Sequence, residues 1–291
     1  MLTKLQLAAV LLVVSGASCV RGQQTQPQMP AAQLVREVVY NELHDHARHG
    51  YWRYWIERRA EGETWREEQV ETAEGPIKRV ILNNGRPLNA EAVREERSRL
   101  KHLLTSPQEQ ARHRQDYAED ENRIGMIVAL LPDAFLYEYA GEEGGCNRLR
   151  FRPNPDYSAH SIDARVFHAM GGELLVNARF KHLARLDGRL LENIDFAFGM
   201  LGRVNKGGTF RLDRTQVSST DWKTERLEVH MSGRAMLFKA IAHETSERRG
   251  GFMPVPTGFN LAQGMMLLEQ GEPKSAVATP SALVLERQQI F

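Results

Sequence analysis

Arg148-Leu149-Arg150-Phe151-Arg152 alternates charged and apolar side chains with a period of two. That period is typical of a β-strand with one face covered and the other in water. Four further segments between residues 135 and 252 repeat the alternation, namely 173–180, 210–213, 227–231 and 236–240. No segment of helical period separates them. This part of the chain therefore predicts an antiparallel meander rather than alternating strands and helices.

Glycine-containing dipeptides punctuate this region, and we interpret them as the turns between its strands. They are Gly144-Gly145, Gly171-Gly172, Asp187-Gly188, Gly207-Gly208 and Gly250-Gly251. An earlier group of strands is predicted at 51–58, 63–72 and 77–82, followed by the hairpin turn Asn84-Gly85. Apolar residues at helical spacing predict helices over 31–47 and 259–268.

A charged helical insertion is predicted between the two groups of strands, from Asn89 to Pro132. Ser106-Pro107-Gln108-Glu109 marks the start of its second helix. Ser106 is the expected cap, Pro107 takes the first helical position, and Glu109 is expected to reach back to the cap. Acids and bases are interleaved along the insertion, which predicts a solvated helix face.

The composition is that of a folded chain with little net charge: 291 residues, 42% hydrophobic, and a formal net charge of +1. No clustered basic excess is present, so no nucleic-acid partner is predicted. The elements together predict a mainly β fold with helical additions (α+β), a curved antiparallel sheet or incomplete β-barrel covered by helices. We assign residues 31–270 to a single domain with a helical insertion at 89–132, and residues 271–291 to a mobile tail.

The first 22 residues have the features of an export signal. Lys4 precedes an apolar run from Leu5 to Val14 that is too short to span a bilayer, and small residues then lead to Cys19, as in a bacterial lipobox. Two alternatives stay open: lipidation of Cys19, with membrane association through that anchor, or ordinary signal cleavage. Residues 23–30 are interpreted as a linker. The expected location is the periplasm, or the outer membrane as a periplasm-facing lipoprotein.

Few residues suggest catalysis. His44, His46 and His49 offer imidazole donors, but on a helix only His46 and His49 share a face, so no metal site is predicted. His243-Glu244 lies in a strand pattern and lacks the second histidine of a zinc-protease motif. Cys146 follows a glycine pair, with no evident group to activate its thiol. We therefore predict no catalytic residue, no metal and no cofactor.

Arg148, Arg150 and Arg152 place three guanidinium groups on one face of one strand. Like charges this close repel one another unless something negative lies opposite them. Two interpretations stay open. Acids of the neighbouring strand neutralise the arginines, or the arginines form an anion-binding contact for lipid headgroups or a phosphate-bearing ligand.

Several segments of the predicted strands resemble the lipoprotein-carrier superfamily of bacterial envelopes in order and spacing. They are Tyr137-Glu138-Tyr139, Arg148-Leu149-Arg150-Phe151-Arg152-Pro153, Met170-Gly171-Gly172-Glu173-Leu174 and Lys181-His182-Leu183-Ala184-Arg185-Leu186-Asp187-Gly188. That superfamily includes the LolA and LolB lipoprotein-sorting proteins and the lipid-binding half of RseB. The resemblance, over about 33–252, implies an incomplete barrel whose helices plug its concave side. It also implies an apolar cavity that holds acyl chains, without cofactor or chemical step.

The alternating apolar positions supply the concave face of such a sheet. We predict ligand contacts at Trp52, Tyr54, Phe151, Val176, Phe210 and Phe238. The helix stripes at Leu100, Leu104, Ile124 and Val128 either seal that face into a packed core or leave a pocket. Three functions follow as hypotheses. The first is binding of acyl lipid or lipoprotein acyl chains. The others are docking of an envelope protein partner, or a hydrolase whose site is not recognised in the sequence.

Overall fold

The computed structural model describes residues 29–44, 50–60, 62–196, 202–235 and 239–270. Several sequence predictions concern residues outside these ranges. They are the export signal with Cys19, nearly all of the linker, His46, His49, Phe238 and the C-terminal tail.

The described residues form five helices and thirteen strands. The helices are α1 (Ala31–His44), α2 (Ala90–Thr105), α3 (Pro107–Ala134), α4 (Ile162–His168) and α5 (Leu261–Glu269). The strands are β1 (Tyr51–Ala60), β2 (Glu63–Val70), β3 (Ile77–Asn83), β4 (Arg86–Pro87), β5 (Phe135–Glu143), β6 (Cys146–Pro153), β7 (Met170–Asn177), β8 (Leu183–Leu190), β9 (Ile194–Phe196), β10 (Gly202–Val204), β11 (Thr209–Gln216), β12 (Trp222–Ala235) and β13 (Lys239–Val255). The predicted α+β class is confirmed.

These strands join one large, open and curved antiparallel sheet. Its order is β4-β3-β2-β1-β13-β12-β11-β8-β7-β6-β5, and β10 and β9 extend beside β12. Two meanders, β1 to β4 and β5 to β8, stand at opposite ends, and the α2–α3 hairpin connects them along the chain. β13 returns to pair with β1 in the middle. The sheet keeps two edges, at β4 and β5, so the barrel does not close.

Helices cover both faces of this sheet. We call the face beneath α1 and the end of α3 the inner face, and it carries the larger cluster of buried apolar side chains. α5 covers the outer face, where it packs with Val70 and Ile77. The pairing of β1 with β2 places Val70 opposite Arg53, and Arg58 opposite Trp65. Arg53 and Arg58 are five positions apart in one strand, so their side chains point to opposite faces.

Ser106 serves two helices at once. Its hydroxyl accepts the backbone N–H of Glu109 at 3.3 Å and so caps α3, as predicted. Its own N–H donates to the carbonyl of His102 at 2.9 Å and so ends α2. Glu109 is therefore not needed for the return bond of a capping box, and that expectation was wrong. Pro132 lies within the last turn of α3, which continues to Ala134.

α2 lies along the edge of β3. The Glu96 carboxylate accepts the backbone N–H of Val80 at 2.8 Å, and the Arg99 guanidinium donates to the carbonyl of Lys78 at 2.8 Å. Glu96 and Arg99 also bond each other at 2.7 Å. β4 pairs only with the end of β3. Glu96 and Arg99 thus bind β3 backbone groups that would otherwise pair with a longer β4.

Three of the predicted turns are strand interiors. Gly171-Gly172, Asp187-Gly188 and Gly250-Gly251 lie within β7, β8 and β13. A Cβ at Gly172 would lie 1.9 Å from the Asp187 carbonyl oxygen, so the glycine there permits close approach of β7 and β8 rather than a turn. The helix α4 was not predicted, although Ser161 caps it through the Ala164 N–H at 3.0 Å.

Candidate functional site

A row of leucines crosses five neighbouring strands on the inner face. Residues directly opposite one another in an antiparallel sheet share a face, so the strand register identifies the row. Its members, from β6 through β7, β8 and β11 to β12, are Leu149, Leu174, Leu186, Leu212 and Leu227. The row continues through Glu247 in β13 to Arg58 in β1 and Trp65 in β2.

Burial changes along this row while the residue type stays the same. Leu149, Leu174 and Leu186 are 0%, 2% and 6% exposed, because α1 and the end of α3 pack on them. Leu212 and Leu227 are only half-buried. The apolar inner face therefore continues onto β11, where Leu212 still packs against the sealed cluster, and onto β12, where Leu227 lies beyond it.

One stripe of α3 faces the sheet along the whole helix. His113, Tyr117, Ile124, Val128 and Leu131 fall within a narrow arc at about 100° per residue. At the N-terminal end, His113 and Tyr117 pack on the β2–β3 turn, where a Cβ at Gly75 would lie 3.1 Å from the Tyr117 ring. At the other end, Val128 and Leu131 pack in the inner core.

Ile124, at the middle of this stripe, is 58% exposed. Met126 has nearly the same exposure, 64%, but lies on the opposite side of the helix. Exposure of Met126 is ordinary for a solvent-facing residue. Exposure of Ile124 means that the middle of α3 stands away from the sheet. We use the name inner channel for the region of the inner face at Leu212 and Leu227, toward which the α3 stripe is oriented at Ile124.

The predicted ligand residues separate into two groups. Phe151 and Val176 belong to the sealed core, and Phe210 is half-buried at its border. Trp52 and Tyr54 form a different cluster with Ile56, and the structure does not bring them to the other three. The helix stripes also separate: Val128 packs in the inner core, Leu100 and Leu104 pack with α5, and Ile124 stays open.

Tyr54 belongs to a polar network that the sequence analysis missed. Its hydroxyl donates to Glu71 at 3.2 Å and bonds the Gln69 amide, and Lys223 donates to both Glu71 oxygens at 2.8 Å. Burial, reinforced by the Glu71 charge, raises the pKa of Tyr54 far above its usual range. Tyr54 therefore stays a neutral hydrogen-bonding group.

A cluster of charges completes the inner face beside the leucine row. Glu247, 3% exposed, accepts bonds from Arg58 at 2.7 Å and from Arg249 at 2.5 Å. Burial alone would raise the pKa of Glu247, but the two guanidinium groups hold it below its ordinary value. No local sequence pattern identifies this cluster, because its members come from strands that are nearly 200 positions apart in the chain.

The predicted arginine ladder is largely neutralised by acids of its own hairpin. Arg148 bonds Glu143 at 2.6 Å, and Arg150 bonds Glu138, directly opposite, at 3.0 Å. Arg152 is exposed. These contacts favour the pairing interpretation for two of the three arginines.

The candidates for hydrolysis show no activated arrangement in the described part of the chain. A ring nitrogen of His44 lies 2.8 Å from the Tyr40 carbonyl oxygen, one turn earlier in α1. Burial and the Glu143 charge raise the pKa of the Cys146 thiol, which disfavours the reactive thiolate. The described residues contain no group of three or more His, Cys, Asp and Glu side chains placed to hold a metal ion.

A separate pocket of about 330 Å³ lies at the edge of the sheet between β3, α2 and α5. Ile81, Leu88, Val93 and Met265 give it an apolar lining, and charged side chains surround them. Its lining contains none of the leucines of the row and none of the predicted ligand residues.

The class defined by this fold is an α+β protein with an open, curved antiparallel sheet and a partly sealed inner face. No protein-family model, curated protein or solved structure matches the chain. Among the described helices, none is long and apolar enough to cross a membrane.

Proposed function

We propose that the protein binds an acyl chain in the inner channel, between the middle of α3 and strands β11 and β12, without a chemical step. The single observation that carries this proposal is Ile124, an inward-facing apolar side chain that is 58% exposed. Leu212, which packs at the border of the sealed core, and Leu227, which lies beyond it, supply apolar side chains on the sheet side. Ligand sites are typically concave and mainly apolar, and apolar side chains on the inner face of a curved sheet suit such a site.

The sequence supports the same proposal independently. The predicted export signal and lipobox-like Cys19 would direct the protein to the envelope, where acyl chains are abundant. The resemblance to lipoprotein carriers implies the same ligand class. We propose the periplasm, or the outer membrane as a lipoprotein, as its location. Membrane fractionation of a Cys19→Ala variant tests the anchor, because loss of membrane association is expected only if Cys19 is acylated.

Binding of a fluorescent fatty-acid analogue to two variants of α3 tests the channel. Ile124→Glu places a charge inside the channel and is expected to abolish binding, because an unpaired carboxylate disfavours an apolar ligand. Met126→Glu is the matched control. It changes a residue of similar exposure two positions away on the opposite side of the same helix, so it should leave binding unchanged.

Both substitutions replace exposed side chains, so the melting temperature should stay close to that of the wild type in each. Wild-type protein that does not bind the analogue would refute the proposal. Equal loss of binding in both variants would place the ligand outside the channel.

A further inference from the structure

The pocket between β3, α2 and α5 is a cavity that the proposed function does not use. Its volume of about 330 Å³ lies at the lower end of the range for ligand pockets. Among its lining residues, Leu100 and Met265 are buried, whereas Val93 is 42% exposed. An occupant with a few branched apolar side chains would therefore remove apolar surface from water on both sides of the contact.

Polar bonds hold the sides of this pocket in place. Glu96 of α2 accepts the backbone N–H of Val80 at 2.8 Å and bonds Arg99 at 2.7 Å. Arg79 of β3 bonds Glu68 of the next strand at 3.1 Å. Arg79, Val80 and Glu96 all belong to the lining. The pocket is thus preformed, and an occupant does not have to bear the cost of ordering it.

The chain itself leads away from this pocket. Glu269, the last residue of α5, belongs to the lining, and the described chain ends one residue later, at Gln270. Ten residues with two prolines and one glycine follow, and after them comes Ser281-Ala282-Leu283-Val284-Leu285-Glu286-Arg287. We call residues 281–287 the C-terminal segment. It lies outside the described residues and brings three branched apolar side chains together.

The C-terminal segment is tethered within reach of the pocket. Leu283 follows Gln270 by thirteen positions, and a chain of that length can span about 40 Å. A short tether of this kind gives an effective concentration on the order of 1 mM. A segment whose free peptide binds with a Kd of only ~100 µM would then be docked in about ten of every eleven molecules.

We propose that the C-terminal segment docks in this pocket of its own chain. Leu283 and Leu285 share one face of an extended chain, and they pack on the apolar lining. The docked segment covers Val93 and links α2 to α5. Part of the region that the sequence predicts to be a mobile tail is therefore held on the domain.

The charges of the segment and of the pocket suit each other. Glu286 and Arg287 follow the apolar side chains, so the segment carries one charge of each sign. The pocket offers Arg97 on α2 and Glu269 on α5. None of its lining residues belongs to the inner channel, so this inference does not rest on acyl-chain binding.

Tryptic cleavage of the full chain tests the docking. Cleavage after Arg287 reports on the segment, and cleavage after Lys274, between α5 and the segment, is the internal reference. Wild type is compared with Leu283→Ser/Leu285→Ser, which we call the serine variant, and with Val93→Glu. Leu191→Glu is the matched control, because Leu191 is 44% exposed, follows β8 directly and does not line the pocket.

Docking should slow cleavage after Arg287, because the protease acts on the undocked population. We expect the initial rate at Arg287, divided by that at Lys274, to be about tenfold lower in wild type than in the serine variant. Val93→Glu should resemble the serine variant, because an unpaired carboxylate opposes an apolar occupant. Leu191→Glu should resemble wild type.

A labelled peptide of residues 279–290 measures the same site by fluorescence anisotropy. It should bind the serine variant, whose pocket is open to it, with a Kd of ~100 µM. Wild type should bind it about tenfold more weakly, since the tethered segment competes. Adding Val93→Glu to the serine variant should abolish peptide binding, and adding Leu191→Glu should leave it unchanged.

Three results would overturn the proposal. One is an equal cleavage ratio in wild type and the serine variant. Another is peptide binding that Val93→Glu leaves unchanged, which places the segment elsewhere. The third is protection that falls on dilution together with a dimer in sedimentation, which assigns the pocket to the segment of a second copy. The serine variant changes no described residue, so its comparison with wild type is decisive even if Val93→Glu folds poorly.

Discussion

The two halves of the inner face have the same alternation of apolar and polar side chains along their strands, but helices bury these side chains to different extents. In the half formed by β6, β7 and β8, α1 and the end of α3 bury the leucine row to 6% exposure or less. In the half formed by β11 and β12, the same row is half-buried: Leu212 packs at the border of the sealed cluster, and Leu227 lies beyond it. Alternation therefore specifies which side chains face inward. Whether they form a core or a channel depends on how closely a helix approaches them.

The largest expected effect comes from shortening the leucine row in the sealed half. Leu174→Ala should lower the free energy of unfolding by about 2–5 kcal/mol, because it leaves a cavity where α1 and the sheet meet. Leu227→Ala removes the same atoms from a half-buried site and should cost clearly less. Urea denaturation of both variants measures the difference. Equal losses would mean that both halves are packed and would remove the contrast between them.

Acid should weaken the attachment of α1 to the sheet and so make the sealed half more like the open half. Glu42 of α1 bonds His182 at 3.2 Å and pairs with Arg214, and so joins α1 to the sheet. Burial raises its pKa, but these two partners outweigh burial and lower the pKa from 4.5 to about 2.

A depressed carboxyl pKa stabilises the folded state above the unfolded value, and this contribution is lost as pH falls toward 2. We expect roughly 3 kcal/mol of acid-sensitive stability from Glu42. Glu42→Gln should therefore lower stability at pH 7 and flatten its decline between pH 4.5 and pH 2. An unchanged acid profile would show that Glu42 does not contribute to holding α1 on the sheet.

A larger side chain at Val176 tests whether the sealed half is fully packed, just as the shorter side chain at Leu174 does. Val176 is 0% exposed, so Val176→Trp should overpack the core and destabilise the fold by about 1–3 kcal/mol. Thermal denaturation gives the stability, and fatty-acid binding is measured on the folded fraction. Retained binding would separate Val176 from the ligand, whereas lost binding in a fully stable variant would move the site into the half that we describe as sealed.

The smallest effect is expected at Ser106, the residue that ends α2 and caps α3. Ser106→Ala removes the bond to the Glu109 N–H and should cost about 1 kcal/mol. Ser106→Asp retains an accepting oxygen and serves as the control. A full loss in the aspartate variant as well would show that the hydroxyl acts through something other than the cap.

The sequence predicts the strands well because alternation and turn chemistry are local signals. The turn predicted at Gly172 was wrong. The sequence cannot distinguish a glycine that permits close approach of a neighbouring strand from a glycine that forms a turn. The sequence placed Ile124 on a helix stripe that would either seal the concave face or leave a pocket there. The choice between these two outcomes depends on the path of α3 over the sheet. The cluster of Glu247, Arg58 and Arg249 depends on register between distant strands, and no local pattern carries that information.

The two edges of the sheet have a consequence for behaviour at high concentration. An open sheet exposes rows of backbone donors and acceptors to which a second molecule can add a strand. At one edge, Glu96 and Arg99 of α2 occupy the Val80 N–H and the Lys78 carbonyl. At the other, the register of β5 breaks between Tyr139 and Gly141, which disturbs the regular row of backbone groups that a second strand would pair with. Edge-to-edge polymerisation into fibres is thus opposed on both sides of the sheet.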